Sequence, residues 1–494
     1  MTNIRALRAV RWVAALSILP VACDLTVQDP DIVTPGSVSG PEALPTVRAA
    51  ALGDFTLAYS GSGADGSGGT EGITQMSGLL GDELINTETF PTRIEIDRRN
   101  AQVTNGTLGT WFRTLSRARR SAEFAAQGYE QNAPVLNRES GYPEMVALSG
   151  FVYLFFAENF CSGVPFSTIN PDGSFTFGAP LTSTQMYDSA VARFTRAQTA
   201  AFALDTASGA VSGTTRRNML WLATVGLARA TLDRDGPAAA AAALATVTPA
   251  LPGTFSYTVT HSENTARQNN GVFNAVNINE RYGVADREGN YAAGSCQGNT
   301  ASSNCIGSGP GLPYRTDADP RINFVRTAAG AVFDVGFDSR TPQYDQRRYF
   351  DRRASVPVAS GLEAALIRAE NLLAQGASAA YIGVLDSLRA NPPSYVLGNN
   401  APIPAMGALT DPGAAATRVD QFFKERAYWL WLTGHRLGDM RRLMRSYGRT
   451  EAQVFPTGAY FKQNLQYDGT DVNFPVPIDE ENNPEFNQCI NRLP

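Results

Sequence analysis

The chain has few of the residues on which metal and nucleophile chemistry depend. Its 494 residues include only two histidines, His261 and His435, and neither stands at zinc-ligand spacing from a cysteine. No nucleophile motif with its triad context is present. The composition therefore predicts neither a cofactor nor a metal site.

A basic surface is missing as well. Lysine and arginine number 41 against 46 acids, which gives a net charge of −5 with no long run of one sign. This balance argues against nucleic acid or anionic lipid as the main partner. Paired carboxylates for glycan hydrolysis are also hard to find, because candidates such as Asp82 with Glu83, or Glu480 with Glu481, are neighbours in polar segments. We expect no catalytic activity.

Long apolar runs are absent, and the longest candidate, 145–157, is interrupted by Ser149 and Gly150. The N-terminus instead has three arginines, a short apolar run over 12–19 and small residues before Cys23, which predicts a signal peptide over 1–22. Cys23 stands where a bacterial lipoprotein is acylated, although Pro20 departs from the usual aliphatic residue. The Pro- and Asp-containing stretch 23–40 predicts a tether between lipid and folded body.

The four remaining cysteines suit disulfides in an oxidising compartment. Four cysteines allow three pairings. Cys296 and Cys305 flank a loop of Gly, Ser, Asn and Thr that can close on itself, so we prefer that pair, which leaves Cys161 with Cys489.

What the chain has in abundance is helical periodicity. Apolar residues recur every three or four positions in segments near 42–60, 106–131, 143–159, 183–205, 215–233 and 362–389. Thr182 followed by Gln185 forms a capping box, and Asp411 with Pro412 predicts the start of a final helix that reaches Tyr447, with a kink at Gly434. Helix pairs of this length predict a mainly α, tetratricopeptide-like helical-repeat scaffold with long irregular loop insertions and minor β structure.

The expected organisation follows the interruptions of this pattern. An N-terminal helical part covers 41–250 with an insertion at 60–105, an irregular insertion with β-like runs such as 255–260 covers 251–358, and a C-terminal helical part covers 359–494. Long insertions on a rigid scaffold are where binding surfaces usually lie. Aromatic rings can stack on the apolar face of a sugar while polar groups bind its hydroxyls. The predicted ligand-binding residues are Phe90, Arg93, Tyr282, Tyr291 and Tyr314.

The C-terminal part carries a specific resemblance. Segment 424–442 reads KERAYWLWLTGHRLGDMRR, and the chain later has Phe474-Pro475-Val476-Pro477-Ile478 followed by Asn483-Pro484 and Gln488. This pattern resembles the SusD/RagB family, and the helix pair over 362–389 fits it as well. Trp429 and Thr433 stand where the family has glutamates. We interpret the charges of 425–442 as structural and expect Arg436 and Asp439 to pair on the helix surface.

The resemblance implies a cell-surface, lipid-anchored outer-membrane protein without catalytic activity. Such a protein captures a nutrient, often an oligosaccharide, and acts as a lid on a SusC-like TonB-dependent transporter. Two other hypotheses stay open at this point: a helical-repeat scaffold that binds a protein or peptide, and an α-helical glycan hydrolase.

Overall fold

The computed structural model describes residues 40–63, 69–170, 174–247, 250–326, 328–329, 332–397, 401–462 and 465–494. The predicted signal peptide, Cys23 and all of the predicted tether except Gly40 lie outside the described residues.

The described chain is mainly helical, and no sheet in it has more than two strands. The α-helices are α1 (Leu44–Ser60), α2 (Ile73–Leu80), α3 (Pro91–Asp97), α4 (Gly106–Gln131), α5 (Ala133–Leu136), α6 (Gly141–Asn159), α7 (Ser183–Phe202), α8 (Gly213–Asp235), α9 (Pro237–Leu244), α10 (Gly271–Phe273), α11 (Gly361–Ala374), α12 (Ser378–Ala390), α13 (Ala415–Trp429), α14 (Arg436–Tyr447) and α15 (Glu451–Val454). Short 3-10 turns lie at Pro41–Ala43, Ala266–Gln268, Ser394–Val396 and Ile478–Asn482, and a π turn lies at Asn274–Ile278.

The strands form antiparallel pairs. They are β1 (Leu84–Asn86) with β7 (Tyr282–Val284), β2 (Val164–Pro165) with β5 (Pro180–Leu181), β3 (Thr168–Ile169) with β4 (Phe175–Thr176), β6 (Ser256–Val259) with β12 (Val356–Ser360), β8 (Phe324–Val325) with β11 (Asp345–Gln346), β9 (Ala328–Ala329) with β10 (Val332–Phe333), and β13 (Gly458–Ala459) with β14 (Gln466–Tyr467). Pairing between β1 and β7 joins the two predicted insertions.

Consecutive helices pack as pairs around α6, which is buried along its whole length. Local sequence sets their ends: Thr182 accepts a hydrogen bond from the Gln185 amide at 3.2 Å, and the Gln185 side chain accepts one from the Thr182 amide at 2.8 Å, which confirms the capping box. Small residues let the helices approach closely, since a Cβ on Gly226 would lie 2.2 Å from the Phe194 ring. The predicted fold class, a mainly α, tetratricopeptide-like scaffold, is confirmed, whereas the domain boundaries stay a prediction.

The final helix differs from the prediction. It begins at Ala415 and breaks after Trp429, so that α13 and α14 are separate helices. Leu432 has a φ of 54° within the break, and its amide donates to Glu83 at 2.8 Å. The Tyr349 hydroxyl donates to the Leu432 carbonyl at 2.9 Å. Buried side chains from distant segments thus satisfy the backbone groups that the break frees from the helix.

The expected surface pair of Arg436 with Asp439 is wrong. Arg436 is buried and forms a bidentate pair with Asp82, at 2.6 and 2.7 Å. Asp439 is also buried and accepts hydrogen bonds from Arg426 at 2.9 Å and Arg442 at 2.8 Å. Because α14 packs between other helices, its charges hold elements together in the interior.

Two disulfides are present, and they are the pairs that the sequence favoured. Cys161, just after α6, bonds Cys489 in the C-terminal segment, and Cys296 bonds Cys305 within the large insertion. The first joins residues 328 positions apart, whereas the second closes a local loop of 9.

Stability should fall as pH rises from about 5 to 8. Burial raises the pKa of Glu83 from its ordinary 4.5 to about 8, with a smaller contribution from the Asp82 charge. Between these values the folded state holds a proton that the unfolded chain has lost, so stability is present below about 4.5 and is lost through about 8. Denaturation midpoints measured across this range should decline less steeply in Glu83→Gln than in the parent. The exposed Glu263→Gln serves as control, and equal slopes for all three proteins would contradict this assignment.

Within the described residues, no helix has both the length and the apolar character required to cross a bilayer.

Candidate ligand-binding site

Two phenylalanine rings stand exposed side by side where the two insertions meet. Phe90 is 44% exposed and Phe337 is 51% exposed. Their ring centroids lie 6.2 Å apart with an angle of 30° between the planes. We call this pair the aromatic shelf. Its exposed rings can stack on a ligand with an apolar face.

Backbone hydrogen bonds fix the shelf. The Thr87 amide donates to the Arg281 carbonyl, the Phe337 amide to the Glu280 carbonyl and the Asp338 amide to the Thr87 carbonyl, each at 2.9 Å. The Thr87 hydroxyl also donates to the Glu280 carbonyl at 2.7 Å. Three chain segments far apart in sequence are thereby joined, so the two rings are held in place before any ligand binds.

Two arginines lie against the shelf. The Arg93 guanidinium carbon is 5.7 Å from the Phe90 centroid. That of Arg281 is 5.4 Å from Phe90 and 5.6 Å from Phe337. Arg93 is buried and pairs with Glu71 and with Glu88, at 3.0 Å for the latter. Cation–π contacts of this kind orient the rings and place positive charge beside them.

A side pocket of about 180 Å³ opens next to the shelf. Its lining shares the segments that carry the two rings and consists of Glu88, Thr89, Ile94, Cys296, Gln297, Asp338, Arg340, Thr341, Phe461, Lys462 and Leu465. Because Cys296 is in this wall, the Cys296–Cys305 disulfide restrains one side of the pocket.

A buried ion pair forms part of that wall. Lys462 Nζ lies 2.9 Å from Asp338 Oδ2 and also bonds Asn86 Oδ1 at 2.9 Å. Burial lowers the pKa of Lys462, although the Asp338 charge opposes the shift. Burial alone would raise the pKa of Asp338, but Lys462 and the hydrogen bonds from Thr341 outweigh it, so this pKa is lowered. The two side chains are therefore held against each other in the wall of the pocket.

Of the residues predicted to contact ligand, Phe90 alone is exposed. Arg93 is buried behind it. Tyr282 is buried and donates to Glu71 at 3.1 Å, Tyr314 is buried and donates to Asp82 at 3.2 Å, and Tyr291 packs at 5.3 Å against the Phe461 ring. Tyr282 and Tyr314 belong to the main hydrophobic core, and Tyr291 belongs to a smaller cluster with Phe461 and the Cys296–Cys305 disulfide. These three tyrosines are therefore not part of the candidate site.

Sequence reasoning missed Phe337, Arg281 and Lys462. A local signal existed for the turn that carries Phe337, since this residue stands between Gly336 and Asp338, but that signal does not decide whether the ring is exposed. No comparable signal marks Arg281 or Lys462, which are brought to the site by pairing between distant segments.

Other surface features fit a ligand less well. A second exposed aromatic pair, Phe175 and Phe177, has centroids 6.3 Å apart, but its polar neighbours Asn170 and Thr176 bond each other. A cavity of about 500 Å³ beside α13 and α14 has its charges paired, with Lys424 on Asp317 and Arg449 on Asp420. Within the described residues, no cluster of three or more metal-ligating side chains occurs.

These observations define a helical-repeat scaffold whose insertions carry a preformed aromatic shelf and side pocket. No family model matches the sequence, and no curated protein does either. Solved structures do match. A SusD-like protein from Bacteroides fragilis aligns with a TM-score of 0.59 at 14% identity, over 93% of this chain and 98% of that chain.

Two further structures carry names that state a ligand class. Surface glycan-binding protein A from Bacteroides uniformis aligns with a TM-score of 0.58 at 13% identity, over 91% of this chain and 99% of that chain. A laminarin-binding SusD-like protein aligns with a TM-score of 0.57 at 13% identity, over 92% and 99%. The chain therefore has the fold of the SusD/RagB superfamily, as the resemblance predicted.

Proposed function

We propose that this protein is a surface lipoprotein that binds an oligosaccharide on the aromatic shelf and delivers it to a SusC-like TonB-dependent outer-membrane transporter. The preformed pair of exposed rings carries the proposal. Solved proteins of the same fold that are named for glycan binding support it.

The shelf suits a sugar because the C–H face of a pyranose stacks on an aromatic ring. The side pocket adds amide, hydroxyl and charged groups that fix orientation. The two carboxylates of the pocket lining, Glu88 and Asp338, are paired with Arg93 and Lys462, so we expect the ligand to be released unchanged. Lipid on Cys23 and the tether 23–40, which spans at most about 65 Å, hold the protein at the membrane within reach of a transporter.

Removal of the rings tests the site. Phe90→Ala and Phe337→Ala should each weaken glycan binding about two- to tenfold, since stacking on one ring contributes about 0.5–1.5 kcal/mol. Binding is measured by calorimetry with oligosaccharides chosen from a polysaccharide panel in affinity electrophoresis.

Two further variants serve as controls. Phe124→Ala removes a 39%-exposed ring near the C-terminal end of α4, a helix that supplies no residue of the shelf or the side pocket, and should leave affinity unchanged. The double variant Phe175→Ala/Phe177→Ala removes the other exposed pair. Loss of binding in that variant, with full binding in the shelf variants, would place the site elsewhere, and release of sugar products would favour a hydrolase.

Delivery is tested separately by pull-down of the tagged lipoprotein from detergent-solubilised outer membrane. Recovery of a TonB-dependent barrel is the expected result. If no barrel remains bound while the lipid is intact, the protein acts alone, and a free-standing binding scaffold becomes the better description.

A further inference from the structure

We propose that the ligand of the aromatic shelf is an acidic oligosaccharide that carries carboxylate groups, and that Arg281 and Arg340 select it. This inference rests on the proposed function and concerns the same site. It follows from the positions of the charged side chains. The carboxylates of Glu71, Glu88 and Asp338 lie under the shelf and are bonded to protein groups, whereas Arg281 and Arg340 reach the surface.

The acids under the shelf are engaged by the protein itself. Glu71 accepts hydrogen bonds from Arg93 and from the Tyr282 hydroxyl. Glu88 is fully buried and accepts from Arg93 at 3.0 Å. Asp338 accepts from the Thr341 amide and hydroxyl and pairs with Lys462. None of these three carboxylates is placed to accept hydrogen bonds from the hydroxyls of a neutral sugar.

Arg281 is held between the two rings with donor capacity left over. Its Nε is buried and has no hydrogen-bond acceptor in the described part of the chain, and the two outer nitrogens of the guanidinium, which are not buried, form no hydrogen bond there either. The nearest carboxylate oxygen, Glu88 Oε2, is 3.6 Å away, which is too long for a hydrogen bond. Its side chain is 17% exposed, so a ligand on the shelf can reach the guanidinium.

Arg340 adds a second cation on the side pocket. It is exposed, and among the described carboxylates none lies within ion-pair distance of it; its side chain donates a 3.3 Å hydrogen bond to Gln297 Oε1. Phe337 and Arg340 belong to one short turn, in which the Asp338 carboxylate accepts from the Arg340 amide at 2.9 Å. The shelf and this cation are therefore fixed to each other.

The unpaired donors of Arg281 and Arg340 favour a ligand group that only accepts, since the one unpaired oxygen of Glu88 is buried. An ionised carboxylate is such a group, and the planar guanidinium binds it through two parallel hydrogen bonds. A sugar hydroxyl both donates and accepts, so it would use this arrangement only in part. A uronate residue that stacks on the rings with its carboxylate toward Arg281 would use both the aromatic shelf and the unpaired donors of this arginine.

Glu280 provides an opposite charge for the test. It precedes Arg281, is partly exposed, and its pKa is raised by burial and by the charges of Asp345 and Asp334. A carboxylate ligand at the shelf would be repelled by it. Removal of this charge should therefore strengthen the binding of an acidic ligand, whereas removal of Arg281 should weaken it.

The experiment compares polysaccharides with their carboxyl-reduced forms, which differ only in the acid group. Polygalacturonate, alginate and glucuronoxylan, each beside its reduced form, and the neutral polymers laminarin and starch are used in affinity electrophoresis with the full-length protein. We expect at least one uronate polymer to bind about tenfold more tightly than its reduced form. That preference should shrink at 0.5 M salt.

The variants assign the preference to residues. Arg281→Gln and Arg340→Gln should each weaken binding of the parent polymer about tenfold and leave the reduced form unchanged, and Glu280→Gln should strengthen binding of the parent polymer about twofold. Arg120→Gln is the matched control, because Arg120 lies 5.7 Å over the exposed Phe124 ring on α4 in the same kind of contact.

The outcomes separate the two proposals. Neutral polymers that bind through Phe90 and Phe337 with no uronate binding would overturn the acidic ligand and leave the proposed function intact. Equal binding of a uronate polymer and its reduced form would also overturn the acidic ligand while leaving the proposed function intact. Binding of no polymer in the panel would overturn both.

Discussion

An Arg229→Met variant should lose about 3–5 kcal/mol of unfolding free energy, because it leaves carboxylates buried without their cation. Arg229 is buried and donates to both oxygens of Glu158 at 2.6 Å. It also lies 2.8 Å from His435 Nε2, which in turn is 3.1 Å from Glu363. These residues join α6, α8, α11 and the start of α14, so the cation is central to the packing of four helices.

The stability lost in Arg229→Met should increase with pH. Burial raises the pKa of Glu158 to about 7 even with Arg229 present, and without Arg229 it should rise further. Protonated Glu158 needs no partner cation, so the loss measured by urea denaturation should be smaller at pH 5 than at pH 8. The double variant Arg229→Met/Glu158→Gln should recover part of the stability for the same reason.

Arg234→Met on the same helix is the matched control. Arg234 pairs with Asp235 and Asp188 near the surface, where an ion pair contributes about 0–1 kcal/mol. Similar losses in Arg229→Met and Arg234→Met would contradict the role of the buried network.

Removal of the Cys161–Cys489 disulfide should also be strongly destabilising. Loss of a native disulfide typically costs about 2–5 kcal/mol, and in the chain-entropy model the cost grows with the length of the closed loop. The loops span 328 and 9 residues, so Cys161→Ser/Cys489→Ser should lose more stability than Cys296→Ser/Cys305→Ser. Thermal denaturation of the two double variants beside the parent measures the difference.

Ligand binding should be weakened by loss of the Cys296–Cys305 disulfide and not by loss of the Cys161–Cys489 disulfide. Cys161–Cys489 holds the C-terminal segment against the end of α6, where the Ile490 amide donates to the Ser162 carbonyl at 2.7 Å, and its loss should leave affinity unchanged in folded protein. Cys296 lines the side pocket, so its release should weaken glycan binding. Equal affinities in both variants would show that the pocket wall needs no covalent restraint.

Helical structure was predictable because its determinants are local. The predicted helix at 106–131 matches α4, Gly106–Gln131, and the predicted run 255–260 contains β6, Ser256–Val259. A 3.6-residue period and a capping side chain within three residues carry this information in any tertiary context. The kink predicted at Gly434 lies within the break at 430–435, where Gly434 has a φ of 70°. The full extent of the break was not predictable in this way, since side chains as distant as Glu83 and Tyr349 satisfy its backbone.

The residues of the candidate site were harder to predict from the sequence than the helices were. Composition and position placed the binding surface on the insertions, and Phe90 is exposed there. The three tyrosines that the sequence offered beside it are buried, since whether a loop aromatic faces solvent depends on which segments fold over it. Arg281 joined the site because β7 pairs with β1 and brings residue 281 beside Thr87.

By itself, the sequence determined the class of scaffold, most of the long helices and the cysteine pairs that could close, and it predicted export with a lipid anchor, since these depend on spacing along the chain. The tertiary structure alone decided which charges are buried as partners, which rings are exposed and which cations have donors left over. Those properties depend on contacts between residues hundreds of positions apart, as when Arg436 meets Asp82, and burial changes the free energy of a charge far more than any local neighbour does.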